Sequence, residues 1–208
     1  MILKEINSSK NIIKSVVIIA LLISIAIFTT AYIKADNIKG GSAKEIQISM
    51  KMDTLQVKQQ LVINNLKGIA VEAEQERAQE AKRVELVSYA RQFLGNPYVL
   101  GGRSLTDGCD CATFVSLVYR KFGYNWSFGP VSTVLKNCGG KEVSVGDLKP
   151  GDIIFFGDLS HVAIYSGNGK IIHAMDEYNG IAESNLFING TNSTYSGKSI
   201  HSIRRVLG

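Results

Sequence analysis

Three side chains in this sequence could together carry out nucleophilic chemistry: Cys111, His161 and His173. Cys111 opens a stretch in which Phe114, Val115, Val118 and Phe122 fall on one face of a helix of about three turns. Gly123 supplies the stop, because glycine accepts the left-handed conformation that ends helices. Cys111 therefore sits in the first helical turn. Unpaired backbone N–H groups and the helix dipole there favour a thiolate, which is the nucleophilic form. The Cys111 N–H would also help bind an oxyanion. The competing reading is a small buried cysteine packed on the core, and position alone does not separate the two.

A nucleophilic cysteine needs a base in hydrogen-bond reach, and the base needs a third group to orient it. His161 and His173 lie in two β-rich runs around Ser166-Gly167-Asn168-Gly169. A three-residue hairpin loop at Ser166-Gly167-Asn168 puts His161 directly opposite His173, with their side chains about 5 Å apart on one sheet face. In that reading His161 takes the Cys111 proton and later delivers it to the leaving amine, while His173 orients His161. Taken singly, each histidine also reads as a half-buried strand residue, and His201 reads as surface.

The same residues admit a zinc reading, since Cys109, Cys111 and two histidines make four ligands. The C-x-C spacing is tighter than the usual C-x2–4-C, so no metal and no cofactor are expected. With three cysteines, at least one thiol is left unpaired within the chain. Cys109 and Cys138 read either as a disulfide or as spectator thiols.

The elements that must position these groups occupy only part of the 208 residues. Residues 1–14 carry Lys4, Lys10 and Lys14 against Glu5, and 15–33 run without a charge. Nineteen residues of helix span about 28 Å, close to the hydrocarbon thickness of a bilayer. A retained transmembrane anchor is expected, with 1–14 cytoplasmic and the remainder extracytoplasmic. The competing reading is a signal peptide cut near Ala35, which would make the protein secreted. Residues 34–84 read as a largely helical stalk with a loose stripe (Leu55, Leu61, Val62, Leu66, Ile69) and no sustained heptads, though 45–52 would suit a strand as well. The stalk is either solvated or weakly self-associating, and it could recruit envelope-complex proteins.

The globular part, 85–208, begins with helical spacing from Val84 to Gly95. Turn chemistry then leads to the Cys111 helix, and Tyr124–Lys141 reads as irregular. Strands follow at Asp152–Phe156, Val162–Tyr165, Lys170–Ala174 and Ser202–Leu207. Helices first and strands afterwards make an α+β domain. The net charge of +5 without a long basic run suits an anionic envelope or membrane surface as well as nucleic acid and decides little by itself; no nucleic-acid partner is expected.

Pro97-Tyr98-x-x-Gly101-Gly102, Asp110-Cys111-Ala112-Thr113-Phe114-Val115, Leu148-Lys-Pro-Gly-Asp152, His161-Val-Ala-Ile-Tyr165 and His173-Ala174 together resemble the NlpC/P60 family of papain-like cysteine peptidases. That resemblance implies a Cys helix packed on an antiparallel sheet and cleavage of bacterial peptidoglycan stem peptides, commonly between D-glutamate and a diamino acid. It makes Cys111 the nucleophile, His161 the base and His173 the third polar residue, with Tyr98, Asp110, Ala112 and Ser160 lining the substrate site. Tyr98 also reads as a packing aromatic, and Asp110 as a helix cap. Ala112-Thr113 depart from the family's usual Ser-Gly and remove one hydroxyl from the substrate side. That departure, with the anchor and stalk, keeps open a wall-binding or scaffolding part of an envelope or conjugation machine with a degenerate enzyme. Acyl or amidase chemistry on a non-wall substrate is a third reading.

Overall fold

The structure, a computed structural model, describes residues 43–187 and 197–207. The anchor expected over 15–33 and the cytoplasmic segment 1–14 lie outside the described residues. Among the described residues no helix is long and apolar enough to cross a membrane. The chain divides into two units, Met1–Glu76 and Arg77–Gly208.

Helix α1 (Ala43–Arg91) supplies all the described structure of the first unit and the opening turns of the second. Residues 45–52, which the sequence left open between strand and helix, are helical. The reason is local: from Ala43 to Arg91 there is no proline and a single glycine, Gly68, amid mostly good helix formers. In the second unit the end of α1 buries Leu86, Val87 and Ala90. The helix stops at Arg91, and the chain tightens through short turns to Gly95, whose N–H donates to the Ile181 carbonyl at 2.8 Å.

A small antiparallel pair follows, β1 (Arg103–Ser104) with β2 (Gly108–Cys109), and then helix α2 (Cys111–Lys121). Phe122 closes α2, and Gly123 takes the positive φ that turns the chain away. Helix α3 (Val131–Cys138) lies where an irregular stretch was expected. Its buried Val131, Val134 and Cys138 recur at helical spacing, a signal only two turns long.

The remaining strands are β3 (Lys141–Glu142), β4 (Ile153–Phe156), β5 (His161–Gly167), β6 (Lys170–Asp176), β7 (Gly180–Asn185) and β8 (Ile200–Arg205). They form one six-stranded sheet in the order β3-β8-β4-β5-β6-β7, antiparallel throughout. Side chains alternate between its faces, as the two-residue strand period requires. Ile153, Phe155, Val162, Ile164 and Ile172 join Phe114, Val115 and Val118 of α2 in the main core. Ile154, Phe156, Ala163, Ile171 and Ile203 form a second cluster with Leu186. The architecture is α+β, with the Cys111 helix packed on an antiparallel sheet.

The β5–β6 hairpin corrects the expected register. Its loop is Asn168-Gly169, with φ of 53° and 70°, closed by the Gly167–Lys170 pair. Two central residues with positive φ make a type I′ turn, whose twist matches that of the flanking strands. Ile164 pairs with Ile172, and continuing that register puts Ala163, not His161, opposite His173. The error is two residues, and because side chains alternate with period two, both imidazoles keep a common face.

Candidate active site

Asp110 fixes the start of α2. Its Oδ1 accepts the Thr113 N–H at 2.7 Å, while Oδ2 accepts the Gly101 N–H at 3.0 Å. One carboxylate thus caps the helix and ties it to the 97–102 loop. Cys111 begins the helix and is 7 % exposed. Burial pushes its thiol up to about 11, and the Asp110 charge pushes the same way. Against these, the backbone N–H groups of Val162, Ala112 and Cys111 itself favour negative charge on sulfur. The resting group is therefore a thiol. The helix-start effect expected from sequence is present, but desolvation outweighs it.

The N–H of Val162 acting on the Cys111 sulfur places the thiol beside the peptide that joins His161 to Val162. His161 opens β5 and is nearly buried; its Nε2 lies 2.8 Å from His173 Nδ1, with the rings edge-on at 82°. His173 is fully buried on β6, and its Nε2 lies 2.8 Å from the Ser184 Oγ on β7. His173 pairs with Ala182 on β7, so Ser184 stands two residues further along that strand. The row His161–His173–Ser184 consequently runs diagonally across three strands, and each link joins same-face neighbours within side-chain reach.

Sequence reasoning did not single out Ser184. Gly180–Asn185 carries few β-branched residues, so neither the strand nor the serine's place in it stood out.

Burial holds both imidazoles well below their usual range, His161 at about 3 and His173 at about 4. They are thus neutral at pH 7. An unfolded chain protonates them near 6.5, so below that pH the unfolded state binds protons that the folded state refuses. The contribution of the two neutral histidines is therefore fully present above pH 6.5 and is lost as pH falls toward about 4 for His173 and about 3 for His161. We expect a loss on the order of a few kcal/mol between pH 7 and pH 4.5. Thermal unfolding followed by circular dichroism across that range checks this, and His173→Gln should flatten the slope.

The remaining candidates surround this row. Tyr98 bridges to Cys109 as an isolated pair and is half-buried. Its phenol is raised by burial and then by its proximity to Cys111, Asp110, Glu177 and Asp176, which sets it among these groups. Ser160 is exposed beside His161, and its Oγ accepts a hydrogen bond from Lys198. The Lys198 charge contributes to the lowering of His161. Ala112 is 3 % exposed and packs into the main core, so its methyl group faces protein rather than an open cleft. His201 is exposed on β8.

Cys109 and Cys138 are both buried free thiols, pushed up to about 12 and about 11 mainly by burial, which removes the disulfide reading. Among the described residues no cluster of three or more Cys, His, Asp or Glu could hold a metal ion.

Comparison with known proteins places this geometry. Over 108 residues the chain is 34% identical to a probable endopeptidase p60 of Listeria welshimeri, covering 50% of this chain and 20% of that protein. Over 97 residues it is 37% identical to a gamma-DL-glutamyl hydrolase of Bacillus subtilis, covering 44% and 23% respectively. The match thus spans about a fifth of the length of these curated relatives. Among solved structures it is similar to an NlpC/P60 family protein from Bacillus cereus, with a TM-score of 0.50 and 28% identity over 59% of this chain and 39% of that one. It is also similar to the peptidoglycan hydrolase RipB of Mycobacterium tuberculosis, with a TM-score of 0.50 and 25% identity over 64% and 68%. The family model for NlpC/P60 matches residues 95–205, from the turn after α1 to the end of β8. By that match, which takes in Cys111, both histidines and Ser184, the chain belongs to the NlpC/P60 family.

Proposed function

We propose that this protein is a cysteine endopeptidase that cleaves an amide bond in peptidoglycan stem peptides, with Cys111, His161 and His173 as its catalytic groups. The observation that carries the proposal is the hydrogen-bonded row from Ser184 through His173 to His161, which ends at the peptide beside the Cys111 sulfur.

Its proton inventory is consistent with a general base. With Nε2 of His161 donating to Nδ1 of His173, and Nε2 of His173 donating to Ser184, Nδ1 of His161 is the nitrogen that takes the thiol proton. His173 must stay neutral to accept from the imidazolium that forms, and burial keeps it so. Because the resting site holds a thiol and a neutral imidazole, the proton moves as sulfur attacks the substrate carbonyl. The Cys111 N–H, at the start of the helix, would help bind the oxyanion that develops. Collapse of the adduct breaks the C–N bond, His161 protonates the departing amine, and a thioester remains on Cys111. Water, deprotonated by His161, then attacks the thioester, which releases the carboxylic acid and restores the thiol.

The substrate class rests on the family and on what relatives' names state: RipB is named a peptidoglycan hydrolase, and the Bacillus subtilis relative a gamma-DL-glutamyl hydrolase. Cleavage between D-glutamate and the diamino acid is the specific reading. Tyr98, Asp110 and Ser160 line the substrate side in this proposal, and residues 15–33 anchor the enzyme with its catalytic part at the outer face of a bacterial membrane. Mass spectrometry of defined muropeptides after incubation with the full-length protein tests it. Products split between D-glutamate and the diamino acid are expected. Binding without cleavage, or release of a different bond, would overturn it.

A further inference from the structure

The first unit carries a row of exposed apolar side chains for which the site has no use. Because α1 is helical from Ala43, Ile48 and Met52 join the stripe that the sequence alone showed only from Leu55 onward. The complete row is Ile48, Met52, Leu55, Gln59, Val62, Leu66, Ile69 and Ala73, and its steps alternate strictly between four residues and three. Leu61, which the sequence reading grouped with it, falls outside; with Leu61 removed and Ile48, Met52, Gln59 and Ala73 included, the loose stripe without sustained heptads is corrected to a regular one. Ile48, Leu55, Val62 and Ile69 are each more than half exposed, and Leu66 is 48% exposed. A repeat of 3.5 residues sustained over more than three heptads keeps one seam facing a second helix as the two supercoil. On the opposite side Met50, Val57, Leu61 and Val71 are exposed as well, but their row is interrupted by Thr54, Asn64 and Gly68.

We infer that residues 48–73 form a parallel, in-register coiled coil with a second copy of this chain. Gln59 singles out that partner: it is the one polar residue of the seam, and a primary amide both donates and accepts. Across a two-fold axis it meets its own counterpart and both are satisfied, a device that fixes register. The flanks agree. In a parallel pair Lys51 faces Gln56, Lys58 faces Ile63, Asn65 faces Ala70 and Glu72 faces Arg77 of the other copy. No like charges meet, and the last pair attracts. The uncharged run at 15–33 points the same way, since two copies anchored by it would leave the bilayer in one direction.

The test is disulfide trapping of the full-length protein in liposomes, with mild oxidation. Leu55→Cys and Ile69→Cys should each yield mostly covalent dimer, while Asn64→Cys and the unsubstituted chain, whose thiols are buried, should yield little. Trapping at 55 and 69 together requires parallel register, because an antiparallel pair sets 55 against 66. In detergent, multi-angle light scattering should give twice the chain mass, falling to the single-chain mass for Val62→Lys with Leu66→Lys. Equal trapping at 64, failure at both seam positions, or a dimer that survives the double lysine substitution would overturn the coiled coil. Circular dichroism of the double variant at monomeric mass should show retained β-structure, so that loss of association is not loss of folding.

Discussion

Cys111→Ala should lower hydrolysis of a stem-peptide substrate by at least roughly 10³-fold in kcat, with substrate binding largely retained. The expectation follows from how the groups act together. In this mechanism the Cys111 sulfur forms the covalent acyl intermediate, and without that thioester the water that His161 later deprotonates has nothing to attack. Removing the nucleophile leaves only the binding contacts and the N–H groups at the start of α2, which by themselves hold a substrate without opening a second route. His161→Ala should fall almost as far, and the double substitution scarcely further, because members of one relay act as a unit. The fold should survive. Cys111 sits at the helix start with Asp110 capping independently of it, and exchanging a thiol for a methyl group removes one buried atom. Single-turnover assays with a defined muropeptide, read beside a thermal melt, separate chemistry from folding. Cys111→Ala protein that still trimmed stem peptides would end the mechanism.

The features on which that expectation rests were unevenly visible in the sequence. The Cys111 helix was legible because three independent signals agreed: an Asp where a cap belongs, apolar residues at helical spacing, and Gly123 at the stop. β4, β5 and β6 were legible because their runs are apolar and rich in isoleucine and valine, whereas β8, Ile-His-Ser-Ile-Arg-Arg, lies two residues before the expected 202–207. The two histidines could be brought together even from the wrong hairpin loop, since an error of two residues preserves the face and an error of one would not have. Asn168-Gly169 is the stronger turn signal, because both positions of a type I′ turn need a positive φ.

What could not be read is what depends on burial. The helix dipole at Cys111 is written in the sequence; the desolvation that overrides it comes from tertiary burial, and burial likewise lowers both histidines. β7 was missed for a related reason. Gly-Ile-Ala-Glu-Ser-Asn has little strand propensity of its own, and it is ordered by pairing along the full length of β6. Its entry is fixed by close approach: a side chain at Gly180, where φ is 63°, would sit 2.3 Å from the Asn96 carbonyl oxygen. Ser184, the end of the hydrogen-bonded row, is invisible until that register is known.

The largest stability effect is expected away from the site, at the Asp152–Arg205 pair. Asp152 is 1 % exposed and stands immediately before β4; Arg205 ends β8, the neighbouring strand. The guanidinium donates through Nε at 2.9 Å and Nη2 at 2.7 Å to the two carboxylate oxygens, the second of which also accepts the Lys149 N–H at 2.8 Å. Nη2 reaches the Asp147 carbonyl as well. This single planar fork therefore joins the 145–152 turn to the end of the sheet. A lysine, with one point charge, could not reproduce it. Arg205→Met keeps the length of the side chain but leaves a buried carboxylate with one backbone donor, which should cost about 3–5 kcal/mol. For a domain of this size that corresponds to a melting temperature lower by roughly 10–15 °C. Adding Asp152→Asn to Arg205→Met removes the stranded charge and should restore much of the loss, whereas two unrelated destabilisations would add. Hydrolysis well below the melting temperature should stay near wild type, because the pair touches none of Cys111, His161 or His173. Thermal melts of the two single variants and the double variant decide the matter: a double variant no more stable than Arg205→Met would mean that the fork, rather than the uncompensated charge, carries the energy.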